Sequence, residues 1–305
     1  MRRIAAAAWL LAQAARAGAP GREAASFSTL AGDARGAALG SPAAALAEGE
    51  SAQFGNPAAL ALEDEYVVGL THLAWVEGFF GESFVAQMPV GHEGALGASG
   101  FAFLHDAIPV TSERLPDGTG ADARMLFTSG ALTMAQFATE SLGAGASVRG
   151  VYEAVGDDTW LGMSVDLGLL WRLTPDVLLG ASARRVGGVI ESRRTRDPLP
   201  TSVDLGARWA PEDLLAIPLR VYAGGALAVH GPSRGGVAME VGSFFGAYLR
   251  TMIEVVEFRG VAWAAGLGAR RDLWQVDYAL TPAGELGLAH RFALTLKFSP
   301  KRQRG

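Results

Sequence analysis

Downstream of about Glu65 the chain is written in short segments where apolar residues alternate with polar or small ones, the period of a β-strand whose two faces meet different surroundings. In the segment 163–172, Met163, Val165, Leu167, Leu169 and Trp171 share one face, while Ser164, Asp166, Gly168, Leu170 and Arg172 share the other. The division returns at 202–209, with Val203, Leu205, Ala207 and Trp209 opposite Ser202, Asp204, Gly206 and Arg208. It returns where Trp274, Val276, Tyr278 and Leu280 oppose Gln275, Asp277 and Ala279. In 286–298, Leu286, Leu288, Phe292, Leu294, Leu296 and Phe298 oppose Gly287, Ala289, Arg291, Ala293, Thr295 and Lys297. Alternation alone fits a soluble sandwich as well as a barrel. The second face tips the balance, because Gly, Ala and Ser with isolated charges of both signs suit a crowded polar lumen better than bulk water. The expected fold class is all-β, a transmembrane antiparallel β-barrel of about 14 strands.

Counting segments places the first strand near 65–76 and the last near 285–298, which gives the loops a test. Bacterial barrels have short periplasmic turns and long outer loops. With the first strand running outward, the long polar connections 112–124 and 187–200 fall outside, and Thr174-Pro175-Asp176 and Arg270-Arg271-Asp272 fall on the periplasmic side. The stretch 211–218 makes a longer inner turn and fits less well. Trp75, Phe79, Phe80, Trp171, Trp209, Trp274 and Phe298 stand near strand ends, either as interfacial girdles or as ordinary core aromatics.

Composition narrows the classes further. Half of the 305 residues are hydrophobic and 19% are charged, so the chain is too apolar for disorder. Beyond the N-terminus no apolar run approaches the roughly 18 residues of a membrane helix. There is no Cys, hence no disulfide, thiolate metal site or Cys nucleophile. The formal net charge of -5 offers no basic field, so nucleic acid is set aside as a partner. Residues 1–17 carry Arg2 and Arg3, an apolar run from Ile4 to Leu11 and the triplet Ala15-Arg16-Ala17, the arrangement of a signal peptide cleaved near Gly18. An Ala-rich amphipathic helix is the alternative. The expected domains are 1–17 signal peptide, 18–64 an N-terminal segment, 65–298 the barrel and 299–305 a basic tail.

Catalytic and metal chemistry find little footing. His72, His92, His105, His230 and His290 have no spacing that makes a metal site, and neither a nucleophile elbow nor a phosphate loop occurs, so no cofactor and no enzyme is expected. His72 and Ser99 are the residues an enzymatic barrel would recruit, and only their type pairs them. The functional candidates are the charges on the mixed face: Arg149, Asp166, Arg172, Asp204, Arg208, Glu240, Arg250, Asp277 and Arg291. Inside a lumen such groups either pair across it or meet a ligand's polar end, and pairing is the expectation.

The run Ala34-Arg35-Gly36-Ala37-Ala38-Leu39-Gly40, continued by 45–49 and by Asn56-Pro57-Ala58-Ala59-Leu60, resembles the N-terminal motif of the PorV/PorQ proteins, relatives of the FadL fatty-acid channels. His72 and Trp75 before Glu77-Gly78, Pro89 with Gly91 and Gly94, Asp166-Leu167-Gly168, Glu240 before Leu249-Arg250, Asp277-Tyr278-Ala279 and His290-Arg291 continue the likeness through nearly the whole mature chain. One departure is visible, since an Asn before Gly is expected in mid-barrel and this chain has Arg185-Val186-Gly187. The resemblance implies that Ala34 to Leu60 folds into the lumen as a short helical hatch, with Arg35, Gly36, Gly40, Asn56, Pro57 and Ala58 as its landmarks. Asn56 suits a helix cap and Pro57 a first helical position. A periplasmic tail with one helix is the alternative.

Two functions follow as expectations: transport or binding of hydrophobic small molecules across the outer membrane, and an accessory barrel of a secretion or surface-attachment system that holds exported proteins through its long outer loops, with the charged loop 191–197 as one candidate contact and a solvated loop as its default reading. The other expected partners are outer-membrane lipid and the barrel-insertion machinery, which Leu294, Leu296 and Phe298 on the last strand suit, although Ser299 to Gly305 extends beyond them.

Overall fold

The computed structural model describes residues 23–299 apart from Ala47, His92, 192–195, 212–216 and Phe244, with the backbone alone at Asp106 and Ala107. The expected signal peptide, most of the basic tail and the middle of the charged loop 191–197 lie outside the described residues.

Strands β1 (Tyr66–Ala74), β2 (Phe79–Val90), β3 (Gly94–Pro109), β4 (Asp122–Phe137), β5 (Leu142–Val155), β6 (Asp158–Arg172) and β7 (Val177–Glu191) each pair antiparallel with the next. The three-residue β8 (Arg196–Pro198) folds back on the end of β7 as a flap. The wall continues through β9 (Ser202–Trp209), β10 (Leu219–Ala228), β11 (Arg234–Gly242), β12 (Ala247–Val256), β13 (Gly260–Arg271), β14 (Trp274–Pro282) and β15 (Leu288–Phe298). β7 pairs directly with β9, and β15 pairs with β1 from Tyr66↔Phe298 to Ala74↔His290, so the sheet closes into a barrel of 14 staves with no open edge.

Alternation decides which side chains enter. Leu70, Leu132, Met134, Leu161 and Met163 lie outward, each more than 60% exposed, whereas Thr71, Thr133, Ser164 and Asp166 lie inward and buried. An apolar belt of this kind is costly in water, at roughly 25 cal/mol per Å², and is matched by lipid. The even strand count brings Tyr66 and Phe298 to one end, termed inner after the sequence reading. The connection 110–121 and the described residues 196–201 fall at the opposite, outer end, and 173–176 and 272–273 at the inner one.

Some boundaries differ from those read in the sequence. β4 starts at Asp122 and β7 runs to Glu191, so pairing with long neighbours carries both strands into the expected loops. The segment Gly284–Leu286 is a 3-10 turn, and the last strand begins only at Leu288. Trp171, Trp209, Trp274 and Phe298 stand outward at the inner rim as girdle residues do, but Trp75 and Phe79 pack on Phe103 and belong to an internal cluster.

The N-terminal segment fills the lumen. It holds 3-10 turns at Ser26–Thr29, Ser41–Ala45 and Pro57–Leu62, and helices α1 (Ala34–Leu39) and α2 (Glu50–Gly55). Helices of six residues are not stable alone. Here Ala34, Ala38, Leu39, Ala44, Ala58 and Leu60 are wholly buried, so packing supplies the stability that length does not. The wall makes room with glycine. A Cβ on Gly145 would stand 2.5 Å from the Pro57 carbonyl carbon, one on Gly266 2.6 Å from the Ala38 methyl, and one on Gly180 would overlap the Ala44 carbonyl. These lumen-facing glycines therefore mark the footprint of the hatch.

Candidate functional site

Toward the inner end the hatch is tied to the wall by ions. Arg35 enters from α1, whose N-cap Asp33 accepts from the Gly36 amide at 2.6 Å. Its guanidinium meets Glu240 of β11 at 3.0 and 3.2 Å and donates to the Tyr222 hydroxyl at 2.9 Å. Glu240 also receives Arg250 at 2.5 Å and Arg220 at 2.8 Å, and Arg250 continues to Asp277 at 2.5 Å. Glu48, on the chain between the hatch helices, takes Arg220 at 3.1 Å and Arg208 at 3.3 Å. Strands β9, β10, β11, β12 and β14 thus hold two hatch residues through one network. Because Arg35, Glu240, Arg250 and Asp277 are almost fully buried, each ion depends on its partners for solvation. The network borders a polar cavity of about 90 Å³ whose lining includes Glu50, Ser51, Gln275 and Lys297.

A second tie is made by Asn56. Its side-chain oxygen accepts from the Ala58 amide at 3.1 Å, and its amide donates to the Ala44 carbonyl at 2.8 Å and the Leu169 carbonyl at 3.0 Å. One side chain caps the Pro57 turn, joins it to the preceding turn and fastens both to β6.

Higher in the lumen, β7 departs from regular pairing. Met163↔Val189, Val165↔Val186 and Leu167↔Ala183 leave two extra residues on β7, and Arg185 and Gly187 adopt φ of 54° and 66°. The departure Arg185-Val186-Gly187, where the resemblance leads one to expect an Asn before Gly, falls at this irregularity, and Arg185 takes up a left-handed conformation that Asn tolerates better than Arg. The double bulge turns the neighbouring Arg184 and Arg185 both inward. Asp166 accepts from the Arg185 backbone amide at 2.7 Å and from Arg149 at 2.9 and 3.1 Å, and Arg184 approaches Asp204 at 3.5 Å. The Arg185 side chain donates to the Pro200 carbonyl at 2.6 Å and the Ser28 carbonyl at 3.3 Å, which fastens the first hatch turn to the bulge.

Above the ions the lumen turns apolar. Phe27 of the first hatch turn lies 6.4 Å from Phe101 and 5.7 Å from Phe127, ring centre to ring centre. Phe103 stacks on Phe79 at 5.1 Å and meets Trp75 edge-on at 6.1 Å, and Leu73, Val151, Ile190 and Leu199 complete the cluster. Arg291 stands at its border with the guanidinium 5.9 Å from the Trp75 ring. It donates to Thr281 at 3.0 Å, has no carboxylate partner among the described residues, and its buried Nε is unpaired.

The residues singled out in the sequence thus fall into groups. Arg35, Glu240, Arg250, Asp277 and Arg208 converge on the inner network, Arg149, Asp166 and Asp204 on the bulge, and Arg291 on the aromatic cluster. Arg172 does not join them: it lies at the inner rim, about a third exposed, paired with Glu93 at 3.1 Å and stacked 3.8 Å over Phe137. Gly36 and Gly40 let α1 pack and turn, Gly40 with φ of 60°. Sequence reasoning missed Glu48, Arg220, Tyr222, Arg184 and Phe27. Arg220 and Tyr222 share the inward parity of β10, a signal that was available, whereas Arg184 and Arg185 are adjacent and no period of two puts both inside. His72 and Ser99 are not brought together, because His72 faces outward against Glu82 at 2.7 Å and Ser99 is buried on the lumen side.

No protein-family model and no curated protein matches the chain. Solved structures do. A FadL homologue of Pseudomonas aeruginosa superposes with a TM-score of 0.61 at 11% identity, covering 88% of this chain and 98% of that one. The Pseudomonas putida toluene transporter TodX gives 0.60 at 13% identity over 86% and 96% of the two chains. The monoaromatic hydrocarbon channel CymD gives 0.55 at 12% identity over 85% and 96%. At these identities the likeness is one of architecture. The chain has the FadL-like fold, a 14-strand barrel with a helical N-terminal segment seated in its lumen.

Proposed function

We propose that this chain is a non-enzymatic outer-membrane barrel of the PorV/PorQ type that binds hydrophobic small molecules and passes them toward the inner end. The observation that carries the reading is the aromatic cluster around Phe101, Phe103 and Phe127, a buried apolar region of the lumen into which the hatch inserts Phe27. A buried apolar chamber with a few polar groups at its border is the usual form of a small-molecule site. Phe27 holds the place of a ligand, and Arg291, whose Nε has no partner, stands where a ligand's polar end would lie. The resemblance of the hatch motif to PorV/PorQ proteins and the hydrophobic cargo named for TodX and CymD point the same way. The apolar belt supports placement in the outer membrane.

The test is titration of purified protein in mild detergent with a fluorescent hydrophobic probe. Wild type binds, Phe27→Ala binds several-fold more tightly because the chamber is vacated, and Arg291→Gln alters the preference between probes with and without a polar end. A flat titration in wild type and in Phe27→Ala rejects the reading.

A further inference from the structure

The inner ion network pairs each buried charge with its opposite, but two hatch carboxyls beside it form no ion pair among the described residues. Glu50, first residue of α2, is buried with its carboxyl packed against β1 at Gly69, where a Cβ would collide with it. It accepts from the Thr71 hydroxyl of β1 at 3.2 Å and from the Thr295 hydroxyl of β15. Asp33, at the head of α1, accepts from the Ser51 hydroxyl at 2.5 Å and from the Gly36 amide. Ser51 follows Glu50 directly, so the two acids are linked through adjacent residues on one side of the polar cavity. Of the cations nearby, Lys297 of β15 is committed to Glu63 at 2.6 Å, Arg35 of α1 to Glu240, and Arg250 of β12 to Glu240 and Asp277, while Arg291 of β15, bonded to Thr281, and Arg35 act on Asp33 through their charge without pairing with it. Asp277 of β14 adds a further negative charge facing the same cavity.

We propose that the Asp33 and Glu50 pair is a proton-operated latch on the hatch. With Glu50 protonated, α2 stays seated against β1 and β15. Loss of that proton sets an unpaired negative charge beside Asp33 in the enclosed space and loosens α2 from the wall.

Burial, and after it the charge of Asp33, pushes the Glu50 carboxyl up to about 8, and burial likewise raises Asp33. In an unseated hatch the Glu50 carboxyl returns to the usual range near 4.5. A group whose pKa is raised by seating contributes fully below its free value and loses that contribution as the pH climbs through its seated value. The hatch is therefore tightest in mild acid, weakens progressively above about 4.5 and is loosest once the pH has passed about 8. The latch concerns how the hatch is held, so its test does not depend on whether any hydrophobic molecule binds.

Hydrogen exchange of the hatch segment 41–60 is followed by mass spectrometry on the whole protein in non-ionic detergent at pH 6 and pH 9, corrected for intrinsic rates. Wild-type protection is expected to fall at least tenfold between the two pH values relative to the strands. Glu50→Gln, which keeps the shape and a hydrogen-bond acceptor, is expected to show no such fall. Asp33→Asn, which still caps α1, is expected to show a smaller one, and it supports the conclusion if Glu50→Gln does not seat. Equal wild-type protection at both pH values, an undiminished fall in Glu50→Gln, or one in Asp33→Asn as large as in wild type overturns the latch.

Discussion

Arg35→Met removes the hatch's main charged contact while keeping much of its apolar stem. Two charge-assisted hydrogen bonds to Glu240 and one to the Tyr222 hydroxyl disappear. Removing one member of an isolated buried ion pair costs about 3–5 kcal/mol, chiefly because the survivor is left without a partner. Glu240 is not left so, since Arg250 and Arg220 remain at 2.5 and 2.8 Å. The expected cost is therefore about 2–3 kcal/mol, somewhat above the loss of one charged hydrogen bond. It falls on the seating of the hatch, because the other network members, Glu48 of the hatch itself apart, belong to strands held by backbone pairing. That converts to about 30- to 150-fold more frequent opening of the segment 34–60. Limited proteolysis at fixed pH reads this directly, with the fraction of barrel that migrates as folded on an unheated gel as the control. Glu240→Gln leaves Arg35, Arg220 and Arg250 short of an anion and should be the more damaging change, and the double variant should cost less than the sum of the two. Unchanged hatch cleavage in Arg35→Met, or additive single effects, would refute the claim that the network holds the hatch.

Two further outcomes are expected. Gly180→Val should expel the 41–45 turn while the barrel still forms, whereas Gly150→Val, with open space around its Cβ, should be neutral, and equal hatch protection in the two variants would contradict the footprint. Asp166→Asn strips Arg149 of its anion beside the bulge and should lower barrel stability by about 3–5 kcal/mol, read as an earlier urea midpoint, with an unmoved midpoint counting against it.

How much of this was legible in advance differs by level. The closed barrel follows from period two, because a strand with one greasy face and one face of glycines and scattered charges has few other homes. Asn56 and Pro57 carried enough local chemistry for a turn start to be read from them, since capping and a fixed φ act within a few residues. The lumen charges on β6, β9 and β14 were found for the same reason, as parity is a local property of the strand. Identity of partners was not legible. Arg35 reaches Glu240 across 205 positions of sequence, and nothing in either neighbourhood encodes the other.

What the sequence alone determined is therefore the wall: its class, its approximate stave count, and which side chains of its regular strands face in. What only the tertiary structure decided is the content of the lumen. The double bulge on β7 breaks the parity rule and turns Arg184 and Arg185 in together, closure of the barrel gathers strands β9 to β14 around Arg35, and the hatch sets Phe27 among aromatic rings and Glu50 between two threonines. Alternation is set by the backbone one residue at a time, whereas these contacts exist only after a circle of strands has closed around a chain that could not fold by itself.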